Sequence, residues 1–294
     1  MRWAEGFIAV DWGTTNRRAY RIDEIGRCTE EFEDGRGVLA IAAGGFPAAV
    51  AEIRARLGDW PLLLAGMVGS NRGWIEAPYV PCPAGLDDLA RALVWADDRT
   101  AIVPGVCDDR GEHADVMRGE EVQLLGAAGS GMIPADCWVC HPGTHNKWVE
   151  VAGCRIASFR TVLTGELFNL LKGHSILADL LALPTGAGEA FEAGVRHGLT
   201  ADDLQAELFS VRARVLLGKA RREDAASYTS GLLIGGDLRI GLKAIDAPEV
   251  MVMARPELSA LYAVALRCAG RTPVELDGEQ CFNNGIKQIA ERIE

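Results

Sequence analysis

Basic residues are in the minority in this sequence. Its 294 residues include 30 Lys and Arg against 41 Asp and Glu, which gives a formal net charge of −11 at pH 7. Proteins that bind nucleic acid without regard to its sequence, or that bind anionic membranes, do so through a positive surface. The charge balance therefore argues against both kinds of partner.

Long apolar runs are absent as well. No run reaches the roughly 20 consecutive apolar residues that a membrane-spanning helix requires. The segment from Met1 to Gly6 lacks the positively charged and then apolar pattern of a secretory signal. We therefore expect a cytoplasmic protein.

Cysteines number only eight and are scattered along the chain. Without an export signal, small buried thiols explain them better than disulfides do. Cys137, Cys140 and His141 match the spacing of c-type haem attachment and of redox or zinc sites. The segment has the pattern of a buried strand, however, in which residues three apart point to opposite faces. We therefore interpret these residues as structural.

The apolar periodicity of the first half predicts alternating strands and helices. The predicted elements are strands at residues 7–10, 17–22 and 27–33, a helix at 46–57, a strand at 62–65, a helix at 86–95, a strand at 100–103 and a helix at 116–128. Three adjacent strands followed by this alternation form a ribonuclease-H-like layout, in which a meander leads into βαβ crossovers.

A similar order repeats in the second half, after a glycine- and alanine-rich boundary at 126–134. The predicted elements are strands at 137–141, 147–151 and 155–159, a helical block at 163–245, a strand at 250–253, a helix at 257–268, a strand at 274–276 and a helix at 281–293. The sequence therefore predicts an α/β fold of two ribonuclease-H-like domains, residues 1–131 and 132–294, with a central cleft for nucleotide and substrate.

The turn after the first strand carries an acidic residue and several small polar ones. Asp11 ends the strand, and Gly13, Thr14 and Thr15 follow before the second strand begins. Successive N–H groups and hydroxyls in such a turn suit a phosphate, and the carboxylate suits a hydrated cation. The alternative is an ordinary hairpin with a polar turn. Residues 7–20 resemble the first phosphate motif of the sugar-kinase, Hsp70 and actin superfamily.

The second half opens on a comparable turn. Gly143, Thr144 and His145 lie between two predicted strands. In a duplicated fold the two turns would face each other and hold a polyphosphate from both sides. The alternative is again a hairpin turn with polar residues at the surface.

An acidic helix start lies between the two turns. Gly119 precedes a predicted helix whose first residues are Glu120 and Glu121. A carboxylate there could take a proton from a substrate hydroxyl, while positioning and charge neutralisation supply most of the catalysis. Acidic residues in a first turn are also expected from the helix dipole alone, so a purely structural role stays open. Glu120 is the favoured base.

Residues 66–83 form a long loop after an apolar strand, where open α/β sheets place ligands. Arg72 offers a bidentate fork for a carboxylate, and Trp74 offers a flat wall for the C–H face of a sugar. The alternative is a surface loop in which Trp74 closes the core.

Four stretches taken together resemble the 2-dehydro-3-deoxygalactonokinase family: residues 65–83, 116–126, 142–149 and 159–168. They occur in order, and the match covers nearly the whole chain. The resemblance implies a two-domain actin-like ATPase fold that uses ATP and Mg²⁺. It also implies transfer of the γ-phosphoryl group to the C6 hydroxyl of 2-dehydro-3-deoxy-D-galactonate.

The resemblance further implies roles for the residues described above. Asp11 would hold the metal through water, and Glu120 or Glu121 would be the base, by similarity with the related polyphosphatases. The phosphates would contact the two turns, which are formed by Gly13, Thr14, Thr15, Gly143, Thr144 and His145.

The sites for the sugar acid and for adenosine are less clearly marked. From their chemistry, we infer that Arg72, Trp74 and Arg118 contact the sugar acid. The family pattern has a glycine just after the strand at 250–253, whereas this chain has Ala-Arg-Pro at 254–256. We therefore expect adenine to contact residues 231–236.

Three other functions remain open from the sequence. The nearest is another kinase of the superfamily, acting on pantothenate or on a different 2-keto-3-deoxy acid. An actin-like nucleotide switch is a second, although it needs no acid-binding pocket. A sugar-sensing transcription regulator is disfavoured because there is no basic helix-turn-helix extension. The oligomeric state is not determined, and a homodimer is one option.

Overall fold

The computed structural model describes residues 3–111 and 113–293. Met1 and Arg2, on which the expectation about a secretory signal partly rests, lie outside the described residues. Within these two ranges, no helix is both long and apolar enough to cross a membrane.

Strands occur throughout the described chain. In order they are β1 (Gly6–Trp12), β2 (Arg17–Asp23), β3 (Cys28–Asp34), β4 (Leu62–Gly66), β5 (Tyr79–Pro81), β6 (Val94–Asp97), β7 (Thr100–Ile102), β8 (Gly105–Asp108), β9 (Asp115–Met117), β10 (Cys137–His141), β11 (Asn146–Ala152), β12 (Arg155–Val162), β13 (Glu249–Ala254) and β14 (Thr272–Asp277).

The α-helices lie between these strands and after the last of them. They are α1 (Phe46–Leu57), α2 (Leu86–Arg91), α3 (Glu120–Gly129), α4 (Thr164–His174), α5 (Glu189–Thr200), α6 (Leu204–Leu216), α7 (Ala225–Gly241), α8 (Pro256–Cys268) and α9 (Gly278–Glu291).

The chain divides into two compact units. The first comprises Met1–Asp136, Val151–Ser158 and Gly278–Glu294, and the second comprises Cys137–Glu150 and Phe159–Asp277. The predicted domains, 1–131 and 132–294, stay a prediction.

The large sheet of the first unit has the strand order β3-β2-β1-β4-β7-β6. Strands β1, β2 and β3 form an antiparallel meander, β4 runs parallel to β1, and β7 runs parallel to β4. This is the predicted ribonuclease-H-like layout, which is thereby confirmed. The register of β1 with β4 puts Asp11 beside Ala65 and Trp12 beside Gly66, so the last residues of both strands lie at one edge of the sheet.

The sheet of the second unit has five strands and repeats most of this strand order. Its strands are arranged β12-β11-β10-β13-β14, with β13 parallel to both β10 and β14. In each sheet the third, second and first strands of the unit are followed by later strands, which are β4, β7 and β6 in the first sheet and β13 and β14 in the second. The predicted α/β class with two ribonuclease-H-like sheets is therefore confirmed.

Helix α1 covers one face of the first sheet. Its buried residues, Phe46, Ala49, Val50, Ile53 and Leu57, follow the spacing of one helix face and pack against the sheet's apolar side chains. Pro47 lies in the first turn, where it costs no hydrogen bond, and Gly58 follows the last residue with φ of 97°. The predicted helix at 46–57 is confirmed.

The predicted helix at residues 86–95 is wrong in its second half. Helix α2 ends at Arg91, and Val94–Asp97 is β6, which pairs antiparallel with β7. The side chain of Asp97 accepts hydrogen bonds from the backbone N–H of Arg99 at 2.7 Å and from the Thr100 hydroxyl at 3.0 Å. This tight turn folds the chain back, so strand pairing overrides the local helical pattern.

The predicted helix at residues 116–128 begins too early. Asp115–Met117 is β9, which pairs antiparallel with β8, and the helix starts at Glu120. Between them, Gly119 has φ of 108°, in the left-handed region that favours glycine. The loop at 66–83 is also more regular than predicted, because it contains β5, which joins β8 and β9 in a small sheet.

Glycines let helices α5 and α7 of the second unit pack closely. Gly194 and Gly198 on α5 meet Gly231 and Gly235 on α7, and each pair is spaced by one helical turn. A Cβ atom on Gly231 would lie 2.0 Å from the carbonyl oxygen of Phe191. Residues 231–238 are all buried. That adenine contacts residues 231–236 stays a prediction.

Adding a methyl group at this crossing should destabilise the second unit. We expect Gly231→Ala to lower the free energy of unfolding by about 1–3 kcal/mol, the usual cost of overpacking. The control is Gly173→Ala on α4, where a Cβ would meet nothing within 4 Å. It should change the stability by no more than about +1 kcal/mol. Urea unfolding measures both, and equal midpoints would contradict the close contact.

Candidate active site

The turn after β1 directs a row of backbone N–H groups away from the body of the first unit. The carbonyl oxygens of residues 13–15 accept hydrogen bonds from the amides of residues 37–39, at N···O distances of 2.9 to 3.3 Å. Within a trans peptide group, the C=O and the N–H point in opposite directions. The N–H groups of residues 14–16 therefore face away from residues 37–39. Such a series of donors suits an anion.

Gly37, which was not among the predicted site residues, makes this arrangement possible. A Cβ atom at this position would lie 2.4 Å from the carbonyl carbon and oxygen of Thr14 and 2.4 Å from the carbonyl carbon of Thr15. Its φ of −62° is open to any residue, so the requirement is for space rather than for conformation. The only sequence feature that could have indicated Gly37 is the glycine-rich run after β3, and such a run is typical of an ordinary loop.

Two more glycines bring Asp11 close to the acidic start of α3. A Cβ on Gly66 would lie 2.9 Å from the carbonyl oxygen of Trp12 and 3.5 Å from Oδ1 of Asp11. A Cβ on Gly119 would lie 3.3 Å from Cα of Gly66. Both glycines have positive φ, 92° and 108°. The ends of β1 and β4 therefore meet the residue that precedes Glu120.

The two glutamates at this helix start have different environments. Oε2 of Glu120 accepts the N–H of Arg118 at 3.1 Å, and Oε2 of Glu121 accepts the N–H of Gly119 at 2.7 Å. Glu121 is fully buried, whereas Glu120 is partly exposed. Burial, together with the adjacent charge of Glu120, raises the pKa of Glu121 to about 8. At neutral pH Glu121 is therefore mostly a neutral acid that solvent does not reach.

Arg118 is buried beneath the loop that follows β4. Its Nη2 donates to the carbonyl oxygen of Ala77 at 2.7 Å, and its guanidinium carbon lies 4.4 Å from the centre of the Tyr79 ring. Among the described residues, its Nε and Nη1 have no hydrogen-bond partner. Arg118 thus fixes the loop and keeps two donors unused.

The other two predicted sugar-acid residues, Arg72 and Trp74, lie in different environments. Arg72 is exposed, and no residue of the described chain forms an ion pair with its guanidinium. Trp74 is partly buried, and its ring stacks on Phe46 with centroids 6.2 Å apart and planes 7° apart. Trp74 therefore helps to close the core, which was the alternative interpretation, and its contact with a sugar stays a prediction.

The second turn is held in the same manner as the first. The N–H of Glu166, at the start of α4, donates to the carbonyl oxygen of Thr144 at 2.9 Å. A Cβ on Gly165 would lie 2.4 Å from the carbonyl oxygen of Gly143, so only glycine allows this approach. The N–H of His145 consequently faces away from α4. The His145 ring also lies 2.5 Å from a carboxylate oxygen of Glu166.

A buried carboxylate anchors the residues around this second turn. Asp237 is 2% exposed and accepts four hydrogen bonds, from Asn146 at 2.7 Å, Trp148 at 2.7 Å, Thr164 at 2.8 Å and Tyr262 at 2.5 Å. Burial raises the pKa of Asp237 in spite of these donors. One side chain thus joins β11, the start of α4, α7 and α8. The sequence signal was a lone Asp in an apolar helix.

The Cys137, Cys140 and His141 segment is a strand, as predicted, and all eight cysteines are free thiols. Cys140 is buried, and burial raises the pKa of its thiol well above the ordinary value. A thiol in that state is a poor nucleophile and a poor metal ligand.

Comparison with known proteins identifies the family of this chain. The model of the 2-keto-3-deoxy-galactonokinase family matches residues 11–289. This chain belongs to that family. The 2-dehydro-3-deoxygalactonokinase of Escherichia coli (strain K12) is 36% identical over 98% of both chains. A probable 2-dehydro-3-deoxygalactonokinase of Rhizobium meliloti (strain 1021) is 34% identical and covers the whole of this chain and 99% of its own.

Solved structures agree with the family and the fold. A crystal structure of a Sinorhizobium meliloti protein assigned to the 2-dehydro-3-deoxygalactonokinases matches with a TM-score of 0.92 at 34% identity, covering 98% of this chain and 99% of the other. Component A of the Acidaminococcus fermentans (R)-2-hydroxyglutaryl-CoA dehydratase shares the fold, with a TM-score of 0.54 at 9% identity and coverage of 98% and 99%. The family resemblance inferred from the motifs is confirmed, and a kinase family implies ATP as a substrate.

The role of Gly37 leads to a prediction about nucleotide binding. Gly37→Ala should push residues 13–15 out of position and weaken ATP binding at least about tenfold, since one lost hydrogen bond to a charged group costs about 1.5–3 kcal/mol. Isothermal titration calorimetry measures the affinity. The control is Gly35→Ala, where a Cβ would meet nothing within 4 Å. If both variants bind ATP like the wild type, the turn does not hold phosphate.

The raised pKa of Glu121 predicts a pH-dependent stability. The folded state favours the protonated acid, so this stabilisation is complete below about pH 4.5 and is lost as the pH rises through about 8. Glu121→Gln mimics the neutral acid. Between pH 5 and 8, the variant should therefore gain stability relative to the wild type, by up to about 1.4 kcal/mol per pH unit.

Urea unfolding at several pH values measures this difference. Glu76→Gln, a change at an exposed carboxylate, is the control. Its free energy of unfolding should change with pH in the same way as that of the wild type. If the free energy of unfolding of Glu121→Gln also follows that of the wild type at every pH, Glu121 is charged in the folded protein.

Proposed function

We propose that this chain transfers the γ-phosphoryl group of ATP to the C6 hydroxyl of 2-dehydro-3-deoxy-D-galactonate, giving the 6-phosphate and ADP. Family membership and the names of relatives that are 34–36% identical support this proposal. The observation that carries it is the convergence, in one unit, of an outward-facing N–H turn, Asp11 and the acidic start of α3. Phosphoryl transfer needs a phosphate cradle, a cation site and a base.

Each of the two turns is proposed, by itself, to bind phosphate. In the first, the N–H groups of residues 14–16 and the exposed hydroxyls of Thr14 and Thr15 supply donors. In the second, the donors come from residues 143–145, beside the N-terminus of α4, where the helix dipole favours negative charge. Because these donors are fixed before the nucleotide binds, they need little rearrangement during the reaction.

Asp11 is the residue proposed to hold Mg²⁺, through water. Within the described chain, no group of three or more His, Cys, Asp or Glu side chains could hold a metal alone. Magnesium beside a nucleotide needs only one or two carboxylates, because waters and phosphates complete its coordination. One carboxylate next to a phosphate turn fits that requirement. When bound, the ion neutralises charge that develops on the phosphates.

Glu120 is proposed as the general base. Its carboxylate is partly exposed, whereas Glu121 is buried and mostly protonated at neutral pH. Glu120 would take the proton of the C6 hydroxyl as the C6 oxygen bonds to the γ-phosphorus. The bond between that phosphorus and the bridging oxygen breaks, and ADP leaves with the electron pair. The neutral Glu121 supports Glu120 without adding a second negative charge.

Arg72, Arg118 and Trp74 are proposed to contact the sugar acid. Arg72 is exposed and has no ion-pair partner within the described chain, so its fork is available to a carboxylate. Arg118 keeps two unused donors, although both are buried. Trp74 offers the ring face that is not stacked on Phe46. A homodimer and a cytoplasmic location stay predictions from the sequence.

The test is release of ADP in a coupled assay with a panel of 2-keto-3-deoxy acids. We expect turnover with 2-dehydro-3-deoxy-D-galactonate and much slower turnover with acids that lack its C6 hydroxyl. Steady ATP hydrolysis without acceptor dependence would favour a nucleotide switch. Turnover with only a different acid would support kinase activity but would assign another substrate.

The same assay tests the base. Glu120→Gln should lower kcat at least about a hundredfold, the usual contribution of a general base, and should leave the affinity for ATP nearly unchanged. Glu121→Gln is the matched control and should retain most of the activity near pH 7, since it replaces one neutral group by another. The reverse ranking of the two variants would assign the base to Glu121.

A further inference from the structure

A cavity lies within the helical segment of the second unit. It has a volume of about 270 Å³ and lies between α5, α6 and the start of α7. Its apolar wall includes Ala190, Val211, Val215 and Ala225. The volume is near the lower end of the range for small-molecule sites, so the ligand would have the size of a small metabolite.

The charged residues that line this cavity are mostly cationic. They are Arg214, Lys219, Arg221 and Asp224. Arg221 is neutralised by Asp224, at 2.7 Å. Within the described chain, neither Arg214 nor Lys219 has a carboxylate partner. Two uncompensated cations therefore face one cavity, in a chain whose net charge is −11.

A chain of hydrogen bonds fixes Arg214 at the cavity. Its Nη1 donates to the hydroxyl of Tyr228 at 3.0 Å, and its guanidinium carbon lies 5.0 Å from the centre of that ring. Arginine can only donate, so the Tyr228 proton points to Nδ1 of His197, 2.5 Å away. Nε2 of His197 then donates to Glu207 at 3.2 Å. Three residues, one on each of three helices, thus hold the guanidinium in place before a ligand binds.

We propose that this cavity binds a phosphate monoester with a small apolar body. A phosphate monoester carries close to two negative charges on one group at neutral pH, which matches the two uncompensated cations. A fixed guanidinium can bind two phosphate oxygens at once, and the lysine adds a point charge. The alkyl or aryl part lies against the apolar wall.

This site is separate from the second phosphate turn. Tyr228 lines the cavity, while Asp237, which binds the residue after that turn, is nine residues further along α7. At 1.5 Å per residue, the two lie about 14 Å apart along the helix axis. A ligand of the cavity therefore does not occupy the turn, and the proposal does not depend on the proposed phosphoryl transfer.

Calorimetry with phenyl phosphate tests the proposal on the full-length protein. Saturating ADP and Mg²⁺ are included so that nucleotide occupies the phosphate turns. We expect one molecule of phenyl phosphate to bind per chain, inorganic phosphate to bind more weakly, and phenol not to bind. Arg214→Gln and Lys219→Gln should each weaken binding at least about tenfold. Lys172→Gln, at an exposed lysine of α4 that does not line the cavity, is the matched control and should bind like the wild type.

A size variant separates the cavity from a general charge effect. Ala193→Phe, on the exposed side of α5, fills the cavity while both cations remain, and it should abolish binding. All variants should unfold at the wild-type temperature and retain basal activity. The proposal is overturned if phenyl phosphate does not bind, or if it binds the charge variants or Ala193→Phe as tightly as the wild type.

Discussion

Close approach of backbone to backbone at a glycine determines the geometry of both phosphate turns. Gly37 lets residues 37–39 reach the first turn, and Gly165 lets the start of α4 reach the second. In each case the approaching N–H groups bind carbonyl oxygens of the turn, so the N–H groups of the turn are directed outwards. The same arrangement thus occurs in two sheets of similar strand order. Neither turn would present its donors without the glycine that supports it.

Burial decides what each carboxyl group near these turns can do. Glu121 is fully buried and holds a proton at neutral pH, whereas Glu120, one residue earlier, is partly exposed. Asp237 is also buried, but four donors surround it, and it therefore acts as an anchor rather than as an acid or base. Asp11 lies at the end of a central strand, beside the first turn. These differences assign separate roles to residues of the same chemistry.

Much of the fold could be predicted from local pattern, because apolar periodicity sets the strands and helices of each sheet. The errors fell where pairing with a distant strand overrode that pattern, at residues 94–97 and 115–117. The turns and the acidic helix start were found from residue type. Gly37 and Asp237 were missed because their importance depends on partners that only the folded chain brings near. Residues 231–236 were expected within a helical block, but the close contact that their glycines make with α5 was not.

The proposed reaction places a phosphoryl group on the C6 oxygen of a sugar acid. Phosphorus–proton correlation NMR of the product tests it most directly, after incubation of the protein with ATP, Mg²⁺ and 2-dehydro-3-deoxy-D-galactonate. We expect a phosphate monoester signal coupled to the C6 protons, formed together with ADP in equal amounts. Inorganic phosphate with an unmodified sugar acid, or a phosphate coupled to protons of another carbon, would contradict it.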